Sequence, residues 1–143
     1  MHKISYLVGY PTVNSKYIMS KDNKTVLIVE DDLILNLLYE SFLEKMGFET
    51  HGELVYGKTA VDMSKQIHPD LILMDIALEG DMNGIEAAQK IREFSDVPII
   101  FITGNSDPEH KNKAMSTSNS HYLIKPVELE DLESTLKEIG LIQ

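Results

Sequence analysis

No cysteine occurs among the 143 residues, which excludes disulfides, thiolate nucleophiles and zinc–sulfur sites. That absence suits a reducing compartment, and the expected localisation is cytoplasmic. Basic residues are scarce: 13 lysines and arginines stand against 23 aspartates and glutamates, for a formal charge of −10. Such a deficit argues against direct binding of nucleic acid or of an anionic membrane surface, since both select for a basic patch. It favours cations and basic partner surfaces instead. No apolar run approaches the roughly 20 residues needed to cross a bilayer. Internal repeats, low-complexity tracts and linkers are also missing. What remains is enough chain for one domain, with 43% hydrophobic residues to build its core.

The opening segment, MHKISYLVGYPTVNSKYI, has the outline of a signal peptide. Its apolar part is short, Ser5 and Gly9 interrupt it, and no small-residue cleavage site follows, so export is rejected. Met19 begins a short polar lead into the first strand. Residues 1–24 are read as an N-terminal extension of open role: a functional arm, an inert addition or a start placed too early. The domain is assigned to residues 25–143.

From Thr25 onward, strand and helix patterns alternate. TVLIV (25–29) is β-branched and apolar, as a strand buried on both faces should be. LILNLLYESFLEKMG (33–47) has a wide apolar face and stops at a glycine, a helix terminator. FETHGEL (48–54) is polar and reads as an edge strand. KTAVDMSKQI (58–67) reads as a short helix ended by His68-Pro69. LILMDI (71–76) is another buried strand, with a carboxylate near its carboxyl end. Asn83 and Glu86 have capping-box spacing ahead of GIEAAQKIREF (84–94). VPIIFIT (97–103) is the fourth strand, with Pro98 near its start. Asp107-Pro108 opens a polar helix reaching about Met115. HYLIK (121–125) is the fifth strand, and ELEDLESTLKEIG (128–140) closes the chain with Leu129, Leu132, Leu136 and Ile139 at helical spacing. Five strand–helix units imply a parallel sheet covered on both faces, an α/β fold.

That architecture gathers the polar strand ends. In open α/β sheets, ligands sit outside the carboxyl ends of the strands. Glu30, Asp31 and Asp32 follow the first strand, Asp75 lies near the end of the third, Thr103 ends the fourth and Lys125 ends the fifth. Closely spaced carboxylates need a cation or raised pKa values. Oxygen ligands without histidine or cysteine select a hard cation, Mg²⁺ before zinc. A carboxylate is also a competent nucleophile in phosphoryl transfer, with a metal and a lysine offsetting charge on the transferring oxygens.

The ordered set LIVEDD, LILMDI, IIFITG and YLIKP resembles the receiver domain of two-component response regulators, over essentially Thr25 to Gly140. The resemblance implies a doubly wound, five-stranded parallel sheet of flavodoxin-like order 2-1-3-4-5, an order that the chain's own pattern does not supply. It implies Asp75 as phosphoacceptor, and Glu30, Asp31, Asp75 and the backbone carbonyl of Ala77 around Mg²⁺. Thr103, Gly104 and Lys125 match the phosphoryl-binding positions, and Thr103 with Tyr122 the switch pair. The Lys125–Pro126 bond matches one that is often cis in the family. The implied partner is a sensor histidine kinase or a histidine phosphotransfer protein, with an unknown protein downstream.

Each residue also has a plainer reading. Asp32 is best taken as the start of a helix rather than a ligand. Tyr122 either switches or simply packs. The five histidines lack ligand spacing and belong to surfaces or turns. Three features depart from the family pattern. The loop ALEGDMNG (77–84) is longer than the common proline-containing version and resembles that of receivers accompanying sensor kinases. SNSHY (118–122) has Ser118 and Asn119 where Gly-Ala is usual, which, with the polar fourth helix, bears on the output surface. Ala77 and Asn105 occupy positions that tune dephosphorylation in the family.

The expected function is therefore a signalling switch rather than an enzyme: Mg²⁺-dependent phosphoryl transfer onto Asp75, then autodephosphorylation. The rival is a pseudo-receiver, an interaction module without phosphorylation, although no pocket residue is missing. A haloacid-dehalogenase-type phosphatase would carry a second aspartate at position 77, which is alanine. A flavodoxin-like nucleotide binder would need a phosphate-cradling loop where this chain has carboxylates. With few residues after the last helix, the expectation is a stand-alone regulator or a piece of a larger sensor protein.

Overall fold

The computed structural model describes residues 23–52, 56–104 and 108–143. Residues 1–22 of the N-terminal extension, the end of the expected edge strand at 53–54, Asn105 and Asp107 lie outside the described residues. Five strands and five helices alternate: β1 (Thr25–Val29), α1 (Leu33–Lys45), β2 (Glu49–His51), α2 (Gly57–Ile67), β3 (Leu71–Asp75), α3 (Gly84–Arg92), β4 (Ile99–Thr103), α4 (Pro108–Met115), β5 (Ser120–Ile124) and α5 (Leu129–Ile139). All pairings are parallel, in the order β2-β1-β3-β4-β5. This is the doubly wound, flavodoxin-like arrangement, and its strand order agrees with the expected one.

The two sides of the sheet follow from the period-2 alternation of strand side chains. Val26, Ile28, Leu71, Leu73, Ile100 and Ile102 face Tyr39 and Leu43 of α1 and Leu132 and Leu136 of α5. Leu27, Ile72, Met74, Ile99 and Phe101 face Ala60 of α2, Ile85, Ala88 and Ile91 of α3, and Ala114 of α4. Strands β1, β3 and β4 are buried on both faces, which is why they read as unbroken apolar runs. Each fully buried Leu or Ile contributes about 1.5–3 kcal/mol of transfer free energy.

Helix ends obey their local chemistry. The Asp32 side chain caps α1, accepting from the amides of Ile34 at 2.9 Å and Leu35 at 3.1 Å, which leaves it a capping role. The same helix closes with the Phe48 amide on the Leu43 carbonyl and the Gly47 amide on the Glu44 carbonyl. That pair is a Schellman motif, and Gly47 takes the left-handed conformation it demands, at φ 92°. Asn83 and Glu86 form the expected capping box, each side chain on the other's amide at 2.9 Å.

Small differences from the sequence reading have physical causes. Helix α3 ends at Arg92, because Glu93 and Phe94 tighten into three-residue turns onto the Lys90 and Ile91 carbonyls. Strand β4 begins at Ile99, since Pro98 has no N–H for the ladder, though its carbonyl still accepts from Ile72 at 3.0 Å. Strand β5 is half-buried to exposed along its length, as an edge strand should be.

Candidate functional site

The three consecutive acids after β1 diverge. Glu30 continues the alternation of Val26 and Ile28, so its side chain enters the α1 side of the sheet and is only 2% exposed. Asp31 turns toward the β3–α3 loop, where its Oδ2 accepts from the Glu79 amide at 2.9 Å. Asp32 leaves the rim to cap α1. Asp75, the last residue of β3, is 3% exposed, and its Oδ1 accepts from the Ala77 amide at 3.1 Å. Glu30, Asp31 and Asp75 each offer a carboxylate oxygen within 4.8 Å of the others.

Lys125 closes the cluster from β5. Its Nζ lies 3.2 Å from Glu30 Oε1 and 3.5 Å from Asp75 Oδ2. The contact with Glu30 is an ion pair outside hydrogen-bond alignment, so Oε1 has no hydrogen-bond partner. The Lys125 amide bonds to the Thr103 carbonyl at 2.7 Å, fixing the two strand ends together. The Lys125–Pro126 peptide is cis. Thr103 is buried at the end of β4. A Cβ on Gly104 would approach only Lys125 Cδ, at 4.0 Å, so this position leaves open space beside the ammonium.

Burial governs the electrostatics. It pushes the Glu30 carboxyl up to about 7, with the Asp75 charge adding to the rise. The Asp32 amide, 3.1 Å from Glu30 Oε2, and the Lys125 ammonium oppose it. For Lys125, burial favours the neutral amine, but the Asp75 and Glu30 charges outweigh it and its pKa is raised. The cation-free cluster is therefore short of positive charge. Its donors are all oxygens, a chemistry that fits Mg²⁺.

The backbone around Asp75 is set by a close approach. A Cβ on Gly84 would collide with the Asp75 carbonyl, so only glycine lets the start of α3 sit against the end of β3. The Gly84 amide bonds to the Ile76 carbonyl at 2.9 Å. Tyr122 pairs with Phe101 in the ladder and so shares a face with Thr103. It is half-buried against the core under α4, with Lys111 Nζ 5.9 Å from its ring centroid.

Three features escaped the sequence reading. Asn36, a polar residue inside an apolar helix, is buried and donates to the Glu30 and Gly52 carbonyls, both at 3.1 Å. Tyr39, one turn further, is 1% exposed and its hydroxyl has no hydrogen-bond partner. Leu33, Ile34, Leu37 and Leu38 of α1 are 40–77% exposed, so part of the wide apolar face of that helix is not core at all. The mid-helix Asn36 was the one signal that could have flagged the first. A cavity of about 500 Å³ opens between Tyr56, Lys58 and Met82. Its lining excludes Glu30, Asp75 and Lys125, so the acid cluster lies outside this cavity.

The fold is thus a parallel α/β domain with a lysine-closed acid cluster at its strand ends. Its family model, the response regulator receiver domain, matches residues 26–137. The chain belongs to the response regulator receiver family. It is 30% identical over 116 residues to the transcriptional regulatory protein YvrH of Bacillus subtilis, covering 81% of this chain and 48% of that protein. It is 27% identical to the chemotaxis protein CheY of Thermotoga maritima, covering 82% and 98% respectively. The chain thus spans about half the length of several curated relatives it matches, and nearly all of CheY. Among solved structures, the receiver domain of the sensor histidine kinase PA1611 from Pseudomonas aeruginosa matches with TM-score 0.73 and 28% identity, over 82% of this chain and 98% of that one. That structure has a magnesium ion coordinated in its active-site cleft. Among the described residues no helix is long and apolar enough to cross a membrane.

Proposed function

We propose that this receiver takes a phosphoryl group onto Asp75 from a phosphohistidine of a sensor histidine kinase or histidine phosphotransfer protein, and later hydrolyses it. The observation that carries the reading is the Lys125 ammonium 3.5 Å from Asp75 Oδ2, inside a cluster of buried carboxylates. Glu30, Asp31, Asp75 and the Ala77 carbonyl would hold Mg²⁺, as resemblance suggests and as a magnesium-bound relative supports. When bound, the cation neutralises charge on the incoming phosphoryl oxygens and on the acids.

The chain's own groups account for the rest. One Asp75 carboxylate oxygen attacks phosphorus while the phosphorus–nitrogen bond to the donor imidazole breaks, and the leaving imidazole takes a proton from solvent. The Ala77 amide holds Asp75 in place, and Lys125 offsets the negative charge that arrives. The Gly104 position leaves room for the group beside the ammonium. For hydrolysis, water attacks the acyl phosphate, inorganic phosphate departs and the carboxylate is restored.

The phosphoryl group adds about −1.5 to −2 charges at neutral pH. Thr103, at the end of β4, would donate a hydroxyl hydrogen bond to it, and Tyr122 on the same face would follow, biasing the α4–β5 surface. The exposed apolar stretch of α1 begins beside Asp31 and Asp32, which fits it to receive the phosphodonor protein. Any output from a longer chain would act through those surfaces.

The test is incubation with acetyl phosphate and Mg²⁺ followed by intact mass. One added phosphoryl group is expected, labile to hydroxylamine, dependent on Mg²⁺ and absent from Asp75→Ala. No uptake from acetyl phosphate or from a cognate phosphohistidine protein would leave the pseudo-receiver reading in its place.

A further inference from the structure

The acid cluster has a neighbour that its expected roles do not use. Tyr39 is the largest of the fully buried side chains, and its hydroxyl lacks a hydrogen-bond partner. Buried hydroxyls are rarely left in that state, because desolvation without a partner is costly. Glu30 Oε1 is ion-paired with Lys125 Nζ at 3.2 Å but likewise has no aligned hydrogen-bond donor. The site therefore contains one orphaned donor, and one ion-paired acceptor with hydrogen-bonding capacity to spare.

Their placement follows from the fold. Asn36, three residues before Tyr39 on the same helical face, already touches the Glu30 carbonyl. Long side chains on a helix lean toward its N-terminus, and the N-terminus of α1 is the end beside Glu30 and Asp31. Tyr39 packs on the sheet among Val26, Ile28 and Leu73, the side from which Glu30 emerges. The raised pKa of the phenol agrees: burial is the largest cause, followed by the charges of Glu30, Asp75 and Asp32.

We propose that Tyr39 is a positioning residue of the cation site, whose hydroxyl donates through one bridging water to Glu30 Oε1 and orients that carboxylate toward the metal. A tyrosine suits the task, because its ring fills the core while its single O–H reaches the polar rim. The water would pair the Tyr39 hydroxyl and give the Glu30 oxygen the aligned donor it lacks, which is the usual role of an internal water. Groups that orient metal ligands in this way commonly change affinity by 10-fold or more when removed.

This inference rests on the Mg²⁺ role assigned above, and titration calorimetry separates the two. Wild-type protein should bind Mg²⁺ with one site, and Tyr39→Phe should bind roughly 10-fold more weakly. A purely structural tyrosine predicts the opposite pattern. Removing an unpaired buried hydroxyl would then raise the cation-free Tm and leave Mg²⁺ affinity unchanged, and that result would overturn the proposal. Tyr39→Leu should match Tyr39→Phe in affinity if the hydroxyl matters, even though its core packing is poorer. Addition of Mg²⁺ should also perturb the tyrosine ultraviolet band of wild type more than that of Tyr39→Phe. Absence of Mg²⁺ binding by wild type would instead defeat the reading of the site as a cation-dependent phosphoacceptor, and this inference with it.

Discussion

Lys125 Nζ stands 3.2 Å from Glu30 Oε1 and so joins the ends of β5 and β1 across β3 and β4. Without it, two buried carboxylates would face each other with no positive side chain between them. Lys125→Met should destabilise the cation-free protein by about 1–3 kcal/mol, less than a fully buried pair because the lysine is 24% exposed. Urea denaturation with and without Mg²⁺ measures this, and Mg²⁺ should recover part of the loss. Phosphoryl uptake from acetyl phosphate should fall at the same time.

The raised pKa of Glu30 predicts an unusual pH slope. The folded carboxyl titrates at about 7 rather than 4.5. Between those values the native state holds a proton that the unfolded chain has released. Stability of the cation-free protein should therefore fall as pH rises from about 4.5 to 7. The expected loss is on the order of 3 kcal/mol. Glu30→Gln should flatten that slope, and Mg²⁺ should stabilise wild type more at pH 8 than at pH 6. A wild-type stability that climbs steadily over this window would contradict the assignment.

Neighbouring aspartates should separate cleanly. Asp32→Ala removes a helix cap and should cost about 0.5–2 kcal/mol of stability while leaving Mg²⁺ affinity close to wild type. Asp31→Ala should do the reverse, abolishing measurable Mg²⁺ binding at millimolar concentrations with little loss of cation-free Tm. Paired calorimetric and thermal measurements decide the matter.

An exposed apolar stretch on α1 leads to a kinetic prediction. Ile34 is 77% exposed and Leu37 53%, so Ile34→Glu or Leu37→Glu should leave Tm within a few degrees of wild type. Either variant should slow transfer from a phosphohistidine protein by about 10-fold or more, yet leave uptake from acetyl phosphate unchanged. Equal slowing with both donors would place the effect inside the pocket and not at the surface.

Most of this fold is legible in the sequence because buried parallel strands announce themselves. VLIV, LILM and IIFI are apolar on both faces, and the polar residues of the acid cluster come where those runs end, at the rim. Capping followed the same logic at Asn83 and Gly47, where side-chain type dictates backbone geometry. The order of the strands was not legible, since adjacency in a sheet depends on crossovers that local pattern does not encode. Nor was the division of labour on α1. Its apolar residues are wide enough to suggest one buried stripe, but the sheet covers only the side bearing Asn36, Tyr39 and Leu43. Tyr39 does not stand out within that face, because periodicity marks which side of a helix packs, not where a hydroxyl ends.

The clasp between the Gly84 amide and the Ile76 carbonyl has a consequence for how this domain tolerates change. It brings the two ends of residues 77–83 together at a single 2.9 Å hydrogen bond, immediately after Asp75. The stretch between becomes a side excursion from the β3–α3 path. Residues beyond Glu79 could be gained or lost within it without changing where β3 stops or where α3 starts. The Ala77 and Glu79 amides hold the Asp75 and Asp31 carboxylates from within the loop, so the outline beyond Glu79 is free to diversify while the acid cluster stays fixed.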